Sequence, residues 1–180
     1  NEDAATAAIV FKTVVDPFIG KLTFVKVVAG KLTAASPVIN MRTGEQERMI
    51  KMYYMCGKKQ EETKCICAGD IGAIPKLQHT NTGDTLCSPT RKVVLEGVTY
   101  PEPVLSMAIL PKQKGEEDKV AQGVLRLLEE DPTLKFVNNA ETHQMILSGL
   151  GEQHLDVVVS KLKGKFGLDV TLEKPKVAYR

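Results

Sequence analysis

Hydrophobic and polar positions change their period near the middle of the chain. Before residue 100, short apolar and β-branched runs alternate with turn residues, and no long 3.6-residue period interrupts them. Runs of this length and spacing are typical of strands in an antiparallel barrel or sandwich. The predicted strands cover residues 8–15, 21–28, 37–42, 47–55, 71–76 and 92–98. The first half is therefore predicted to be an all-β domain.

Helical periods appear only in the second half. Residues 116–130 carry apolar positions on one face, and the Asp131-Pro132 pair ends that helix because the residue before a proline disfavours the α region. A second helix is predicted to begin near Gly151, with a buried stripe of residues at helical spacing. That stripe consists of Leu155, Val158, Val159, Leu162 and Phe166.

Strands flank both predicted helices. They cover residues 104–110, 134–137, 144–147 and 168–172, with a turn expected at Asn138-Asn139. The order βαββαβ is that of the ferredoxin-like fold, in which two helices cover one face of a four-stranded antiparallel sheet. The sequence therefore predicts two domains, residues 1–99 and residues 100–180, joined by a proline-stiffened segment.

Charge and composition exclude few functions. The chain has 180 residues and a formal net charge of +2, so bulk charge indicates no particular partner. No apolar run approaches the roughly 20 residues of a membrane span, and the first residues lack the pattern of a signal peptide. We therefore expect a cytoplasmic protein that does not bind a membrane.

Cysteine spacing leaves one metal or redox hypothesis open. Cys65 and Cys67 form a C-x-C pair and would share one face of a strand. A tetrahedral zinc site needs about four ligands, and Cys56 and Cys87 stand alone. Reduced thiols and no metal site are the expected state. A metal-binding or redox protein built on the pair remains an alternative, which stoichiometric zinc lost on Cys65→Ser would support.

The segment SGLGEQHLDVVV, at residues 148–159, places a histidine between two acids. At 100° per residue, His154 lies on one flank of the buried stripe with Lys161 and Lys165, whereas Glu152, Asp156 and Lys163 lie on the other flank. This phase excludes an acid–histidine–acid site on one helix face. No nucleophile elbow or P-loop is present either, so no catalytic site is predicted in this chain. A stand-alone enzyme that uses His154 is the least supported alternative.

Seven segments, in order, carry a family resemblance. They are VDPFIGKLTFVKVVAGKL at 15–32, AGDIGA at 68–73, TGDTLC at 82–87, VVLEGVTYPEPVLSMAILPK at 93–112, LLEEDPT at 127–133, SGLGEQHLDVVVSKLKGKFGLDV at 148–170 and VAYR at 177–180. Together they resemble bacterial elongation factor G, the translational GTPase that drives tRNA–mRNA translocation on the ribosome. The resemblance covers that family's second and third domains.

The resemblance implies a barrel like the second domain of elongation factor Tu, followed by a ferredoxin-like domain. It also implies that GTP and magnesium bind a GTPase domain that is absent from this chain. The chain itself would therefore hold no cofactor. The implied partners are small-subunit ribosomal RNA, a small-subunit ribosomal protein, and the GTPase and tip domains of the parent protein. The chain would act as a monomer. A ribosomal-protection or ribosome-recycling paralogue with the same domains is an alternative.

Two sets of site residues follow from the resemblance. The surface that faces the GTPase domain and resembles the fusidic acid pocket comprises Pro101, Pro103, Thr133, Gln153, His154, Val158 and Lys161. The candidate contacts to ribosomal RNA are Lys21, Arg42, Lys51, Lys58 and Lys59. The family usually has leucine where Gln153 stands and arginine where Lys161 stands. Because lysine cannot reproduce the planar fork of arginine, these departures favour a divergent paralogue.

Overall fold

The computed structural model describes residues 1, 3–16, 20–34, 36–57, 59–139 and 141–176. Three parts of the sequence predictions lie outside these residues: Lys58, residues 17–19 near the start of the first motif, and the closing VAYR. The chain divides into two compact units, Asn1–Val98 and Thr99–Arg180. Each unit is described by itself.

The first unit contains ten strands within the described residues. They are β1 (Ala7–Asp16), β2 (Gly20–Ala29), β3 (Lys31–Thr33), β4 (Val38–Asn40), β5 (Gln46–Glu47), β6 (Met52–Cys56), β7 (Lys59–Thr63), β8 (Cys65–Cys67), β9 (Ile71–Pro75) and β10 (Thr85–Cys87). Eight of them form a sheet in the order β5-β4-β10-β1-β2-β9-β6-β7, and β3 pairs separately with β8. All pairings are antiparallel, which confirms the predicted barrel-like all-β domain.

Apolar side chains on the inner faces of these strands form one core. Alternate residues of β2, Val25 and Val27, are fully buried, as is Ile66 at the centre of β8. Burying each such side chain contributes about 1.5–3 kcal/mol relative to leaving it in water. A bulge interrupts the pairing of β1 with β2 between Val10 and Lys12. It leaves Phe11 and Lys12, two consecutive residues, both exposed.

Two strand predictions in this unit are wrong. The predicted strand at 47–55 is two strands, because the chain leaves the sheet after Glu47 and returns at Met52. Between them Met49 enters the core while Ile50 is 82% exposed. Residues 92–98 form no strand in the described structure, although they are rich in valine. Their backbone is anchored at Leu95, whose N–H donates to Thr85 Oγ1.

The second unit has the predicted βαββαβ order. Its elements are β11 (Leu105–Pro111), α1 (Glu117–Glu130), β12 (Lys135–Asn139), β13 (Gln144–Gly149), α2 (Glu152–Phe166) and β14 (Val170–Glu173). The antiparallel sheet has the order β12-β13-β11-β14, which confirms the ferredoxin-like fold. The turn between β12 and β13 lies beyond its predicted place, because Asn138 and Asn139 still pair with Met145 and Gln144.

Both helices bury one stripe against this sheet. Val120, Val124 and Leu127 of α1 share a core with Leu155 and Leu162 of α2. Gly167 ends α2 in the left-handed conformation, with φ +66°, and its N–H donates to the Lys163 carbonyl. A side chain at this position would be strained, which explains a glycine there. Across the described residues, no helix is long and apolar enough to cross a membrane.

Candidate functional site

The His154 ring is held between two elements of the second unit. The N–H of Leu150 donates to His154 Nδ1 at 3.0 Å, and His154 Nε2 lies 2.7 Å from Asp131 Oδ2. Because Nδ1 accepts a hydrogen bond, the ring proton resides on Nε2 and is donated to the Asp131 carboxylate. The ring therefore connects the start of α2 to the residue that follows α1. Sequence analysis missed Asp131 as the partner, since 23 residues separate the two.

Asp131 is in turn fixed by Thr133. The backbone N–H and the Oγ1 hydroxyl of Thr133 both donate to Asp131 Oδ1. Burial raises the pKa of Asp131, but the hydrogen bonds from Thr133 and His154 outweigh it and leave this pKa below its usual range. The carboxylate is therefore ionised at neutral pH. Two residues of the predicted interdomain surface, Thr133 and His154, thus meet through a third that was not predicted.

Lysines of α2 reach the C-terminal end of α1. Lys161 Nζ lies 3.5 Å from Glu130 Oε2, and Lys165 Nζ contacts Glu130 Oε1. The last turn of α1 has no basic residue of its own, so its acidic end lies unfavourably in the field of the helix dipole. The two lysines compensate this charge. Lys161 is therefore paired, and with Lys165 it forms the flank that helical phase predicted.

One residue of this predicted surface is misplaced. Val158 is only 2% exposed and belongs to the core, so its side chain supports the surface from beneath instead of lining it. The outward valine is its neighbour Val157, which is half exposed, and Gln153 is also exposed. Pro101 is exposed and Pro103 partly buried on the segment before β11.

Arg42 of the first unit, a predicted RNA contact, makes an ion pair with Asp84. Its Nε and Nη2 donate to the two oxygens of Asp84 at 2.7 and 3.0 Å, and Nη2 also donates to the His79 carbonyl. Asn40 Nδ2 and the N–H of Asn81 donate to the same carboxylate. Burial raises the pKa of Asp84, but these hydrogen bonds bring it below its usual range. Two guanidinium nitrogens are thus engaged by Asp84, while the Arg42 side chain remains 52% exposed.

The other predicted RNA contacts lie in two places. Lys21 is the second residue of β2, and its Nζ donates to Asn81 Oδ1 at 3.2 Å, next to the Asp84 cluster. Lys51 and Lys59 instead lie at the β6–β7 hairpin. Lys51 forms an ion pair with Glu62 at 3.3 Å, and Lys59 forms one with Glu61 at 3.0 Å. These neighbouring carboxylates weaken the positive charge of the hairpin.

An aromatic and basic patch on the outer face of β1 and β2 was not predicted. We call Phe11, Lys12, Phe24 and Lys26 the aromatic patch. The two rings are 6.4 Å apart, and Lys12 Nζ lies 5.8 Å from the centroid of Phe24. Alternation along β2 could have indicated Phe24 and Lys26, whereas the bulge at Phe11 could not be read from the sequence. Phe11 is exposed and Phe24 is partly buried, and aromatic rings beside cations suit nucleic-acid bases and phosphates.

Comparison with known proteins connects both units to one family. Residues 5–89 match the model of elongation factor G domain 2, and residues 100–174 match that of elongation factor G domain III. The crystal structure of a protein from Thermus thermophilus superposes with a TM-score of 0.86 at 30% sequence identity. The match covers 99% of this chain and 27% of that protein, so the chain spans about a quarter of its length. With both domain models matched in order on the folds described above, the chain belongs to the elongation factor G family and carries its domains 2 and 3.

Proposed function

We propose that this chain is the ribosome-binding and interdomain relay portion of an elongation factor G-type GTPase that promotes tRNA–mRNA translocation. The observation that carries the relay is the bridge from Leu150 through His154 to Asp131. A relay surface must stay rigid when it contacts a neighbouring domain. This bridge provides rigidity because its hydrogen bonds join the N-terminal end of α2 to the C-terminal end of α1. Gln153 and Val157 stand exposed beside it as contacts for the GTPase domain.

GTP and magnesium would bind in that GTPase domain. In this proposal the surface of the second unit around His154 contacts the GTPase domain and responds to whether GTP or GDP is bound there. The second unit then transmits that response to the tip domain. A small-subunit ribosomal protein contacts the same unit. These steps use binding and orientation, so the chain itself acts without a catalytic residue, as a monomer in the cytoplasm.

The barrel supplies the contact with small-subunit ribosomal RNA. Lys21 lies near the start of the strand that also carries Phe24 and Lys26, which alternation places on the opposite face of that strand. Lys21 and the cations of the aromatic patch can each neutralise phosphates, and the rings of the patch can stack on unpaired bases. This arrangement favours RNA over a small-molecule ligand.

Binding of the chain to purified small ribosomal subunits, measured across a salt series, tests the RNA contact. Lys21→Ala is expected to weaken binding about 3–10-fold and to reduce the slope of log affinity against log salt by about 0.7–1, because one phosphate contact is lost. Lys114→Ala is the matched control, since it removes an exposed lysine from the other unit. Equal losses in both variants, or none in Lys21→Ala, would overturn the assignment of Lys21.

A further inference from the structure

The C-x-C pair lies on the outer face of the two-stranded sheet that β3 and β8 form in the first unit. In the pairing of β3 with β8, Leu32 lies opposite Ile66, and both side chains are buried in the core. Strand alternation therefore turns Cys65 and Cys67 outward, where both are partly exposed. Their sulfur atoms are 3.8 Å apart. Two thiols are thus held side by side within reach of solvent.

This separation disfavours a disulfide and matches a metal chelate. The Cα atoms of residues two apart on a strand are about 6.6 Å apart, at the upper limit of the roughly 4.4–6.8 Å that disulfides span. The sulfur atoms would also have to close from 3.8 Å to about 2.05 Å, so oxidation would strain the strand. Two thiolates bound to one tetrahedral ion at about 2.3 Å are about 3.8 Å apart, which needs no backbone movement.

Polar groups beside the pair come from neighbouring strands. The Tyr54 hydroxyl is 3.3 Å from the Cys65 carbonyl oxygen and 2.9 Å from Asp70 Oδ2. Lys31 lies opposite Cys67 on β3. Among the described residues, no cluster of three or more histidine, cysteine or acidic side chains could complete a metal site.

We propose that Cys65 and Cys67 form a two-thiolate site for a soft, thiophilic divalent ion such as Zn²⁺ or Cd²⁺, with water or a small ligand in the remaining positions. On binding, each thiol releases its proton to solvent, and the two sulfurs bond to the ion without a change of oxidation state. Thiolates select soft ions, so Mg²⁺ and Ca²⁺ are excluded. The site is independent of the ribosomal role proposed above.

Titration of the reduced chain with Cd²⁺, followed by the ultraviolet thiolate-to-metal charge-transfer absorption, tests this site. We expect saturation at one equivalent, displacement of Cd²⁺ by Zn²⁺, and at least tenfold weaker binding in Cys65→Ser and in Cys67→Ser. Cys56→Ser removes an exposed thiol outside the pair and should leave binding unchanged. A band that is absent, or that survives in both pair variants, overturns the proposal.

Protection from alkylation tests the same site without any substitution. In the native chain, bound Zn²⁺ should slow the reaction of iodoacetamide with Cys65 and Cys67 at least tenfold and leave Cys56 unaffected, as read by peptide mass spectrometry. Equal rates with and without Zn²⁺ would overturn the proposal even if the serine variants failed to fold.

Discussion

Replacing Asp84 by alanine is expected to lower the free energy of unfolding of the barrel by roughly 3 kcal/mol. The Asp84 side chain is only 5% exposed and accepts hydrogen bonds from Arg42, Asn40 and the Asn81 backbone. Its removal leaves these donors without their acceptor. The loop that ends at Asp84 also holds β1, because the N–H of Val10 donates to the Asp84 carbonyl. The substitution should therefore also destabilise the pairing of β1 within the sheet.

Urea denaturation and thiol reactivity together measure this effect. Cys87 is fully buried in β10, so its rate of alkylation reports the opening of the barrel by itself. Glu62→Ala is the control, because it breaks a pair with Lys51 in which both side chains are more than half exposed. Its expected cost is below about 0.5 kcal/mol. Equal stability of Asp84→Ala and Glu62→Ala would show that the Asp84 cluster does not hold the barrel.

The contribution of Asp84 is also expected to depend on pH. Hydrogen bonds from Arg42, Asn40 and Asn81 keep the pKa of Asp84 lower in the folded barrel than in the unfolded chain, where it is about 3.9. Its stabilisation is therefore complete above about pH 4 and is lost as pH falls through the folded pKa. The stability difference between the native chain and Asp84→Asn should narrow below about pH 4. A constant difference from pH 3 to pH 7 would contradict this linkage.

Local sequence patterns predicted the second unit more completely than the first. Both helices and all four strands of the ferredoxin-like domain follow periods contained within single elements. Barrel strands depend instead on partners that lie far away in the chain. β7 (Lys59–Thr63) is polar throughout and becomes a strand because β6 pairs with it at the edge of the sheet. Residues 92–98 have strand-like composition but find no such partner in the described structure.

Helical phase predicted which residues of α2 share a flank, but not what they meet. Lys161 and Lys165 both contact Glu130, and His154 contacts Asp131. These contacts are consistent with the three residues lying on one flank of α2. Those partners are set by how α1 packs against α2, which no local pattern encodes. The ion pair of Arg42 was missed for the same reason, since its partner Asp84 lies 42 residues away. The sequence gives the charge of a residue, but the fold determines which partners its side chain already has.

Replacing Gly149 by alanine is expected to displace His154 and to cost about 2 kcal/mol of stability in the second unit. A Cβ atom at Gly149 would stand 3.0 Å from His154 Nδ1 and 2.9 Å from Leu155 Cδ2. Leu155 is buried and cannot move freely, so the imidazole must shift. The hydrogen bond from Leu150 N–H would be lost, and the bond to Asp131 would weaken.

Gly164→Ala provides a control of opposite sign in α2. A Cβ atom there meets no heavy atom within 4 Å, and alanine favours a helix interior over glycine by up to about 1 kcal/mol. Gly164→Ala should therefore raise the urea midpoint of the second unit, whereas Gly149→Ala lowers it. Nitrogen-15 NMR of the imidazole adds a direct measure of the ring: His154 should keep its proton on Nε2 in Gly164→Ala and populate both tautomers in Gly149→Ala. If Gly149→Ala leaves both the midpoint and the ring signals unchanged, His154 is not held by this bridge, and the relay loses its structural basis.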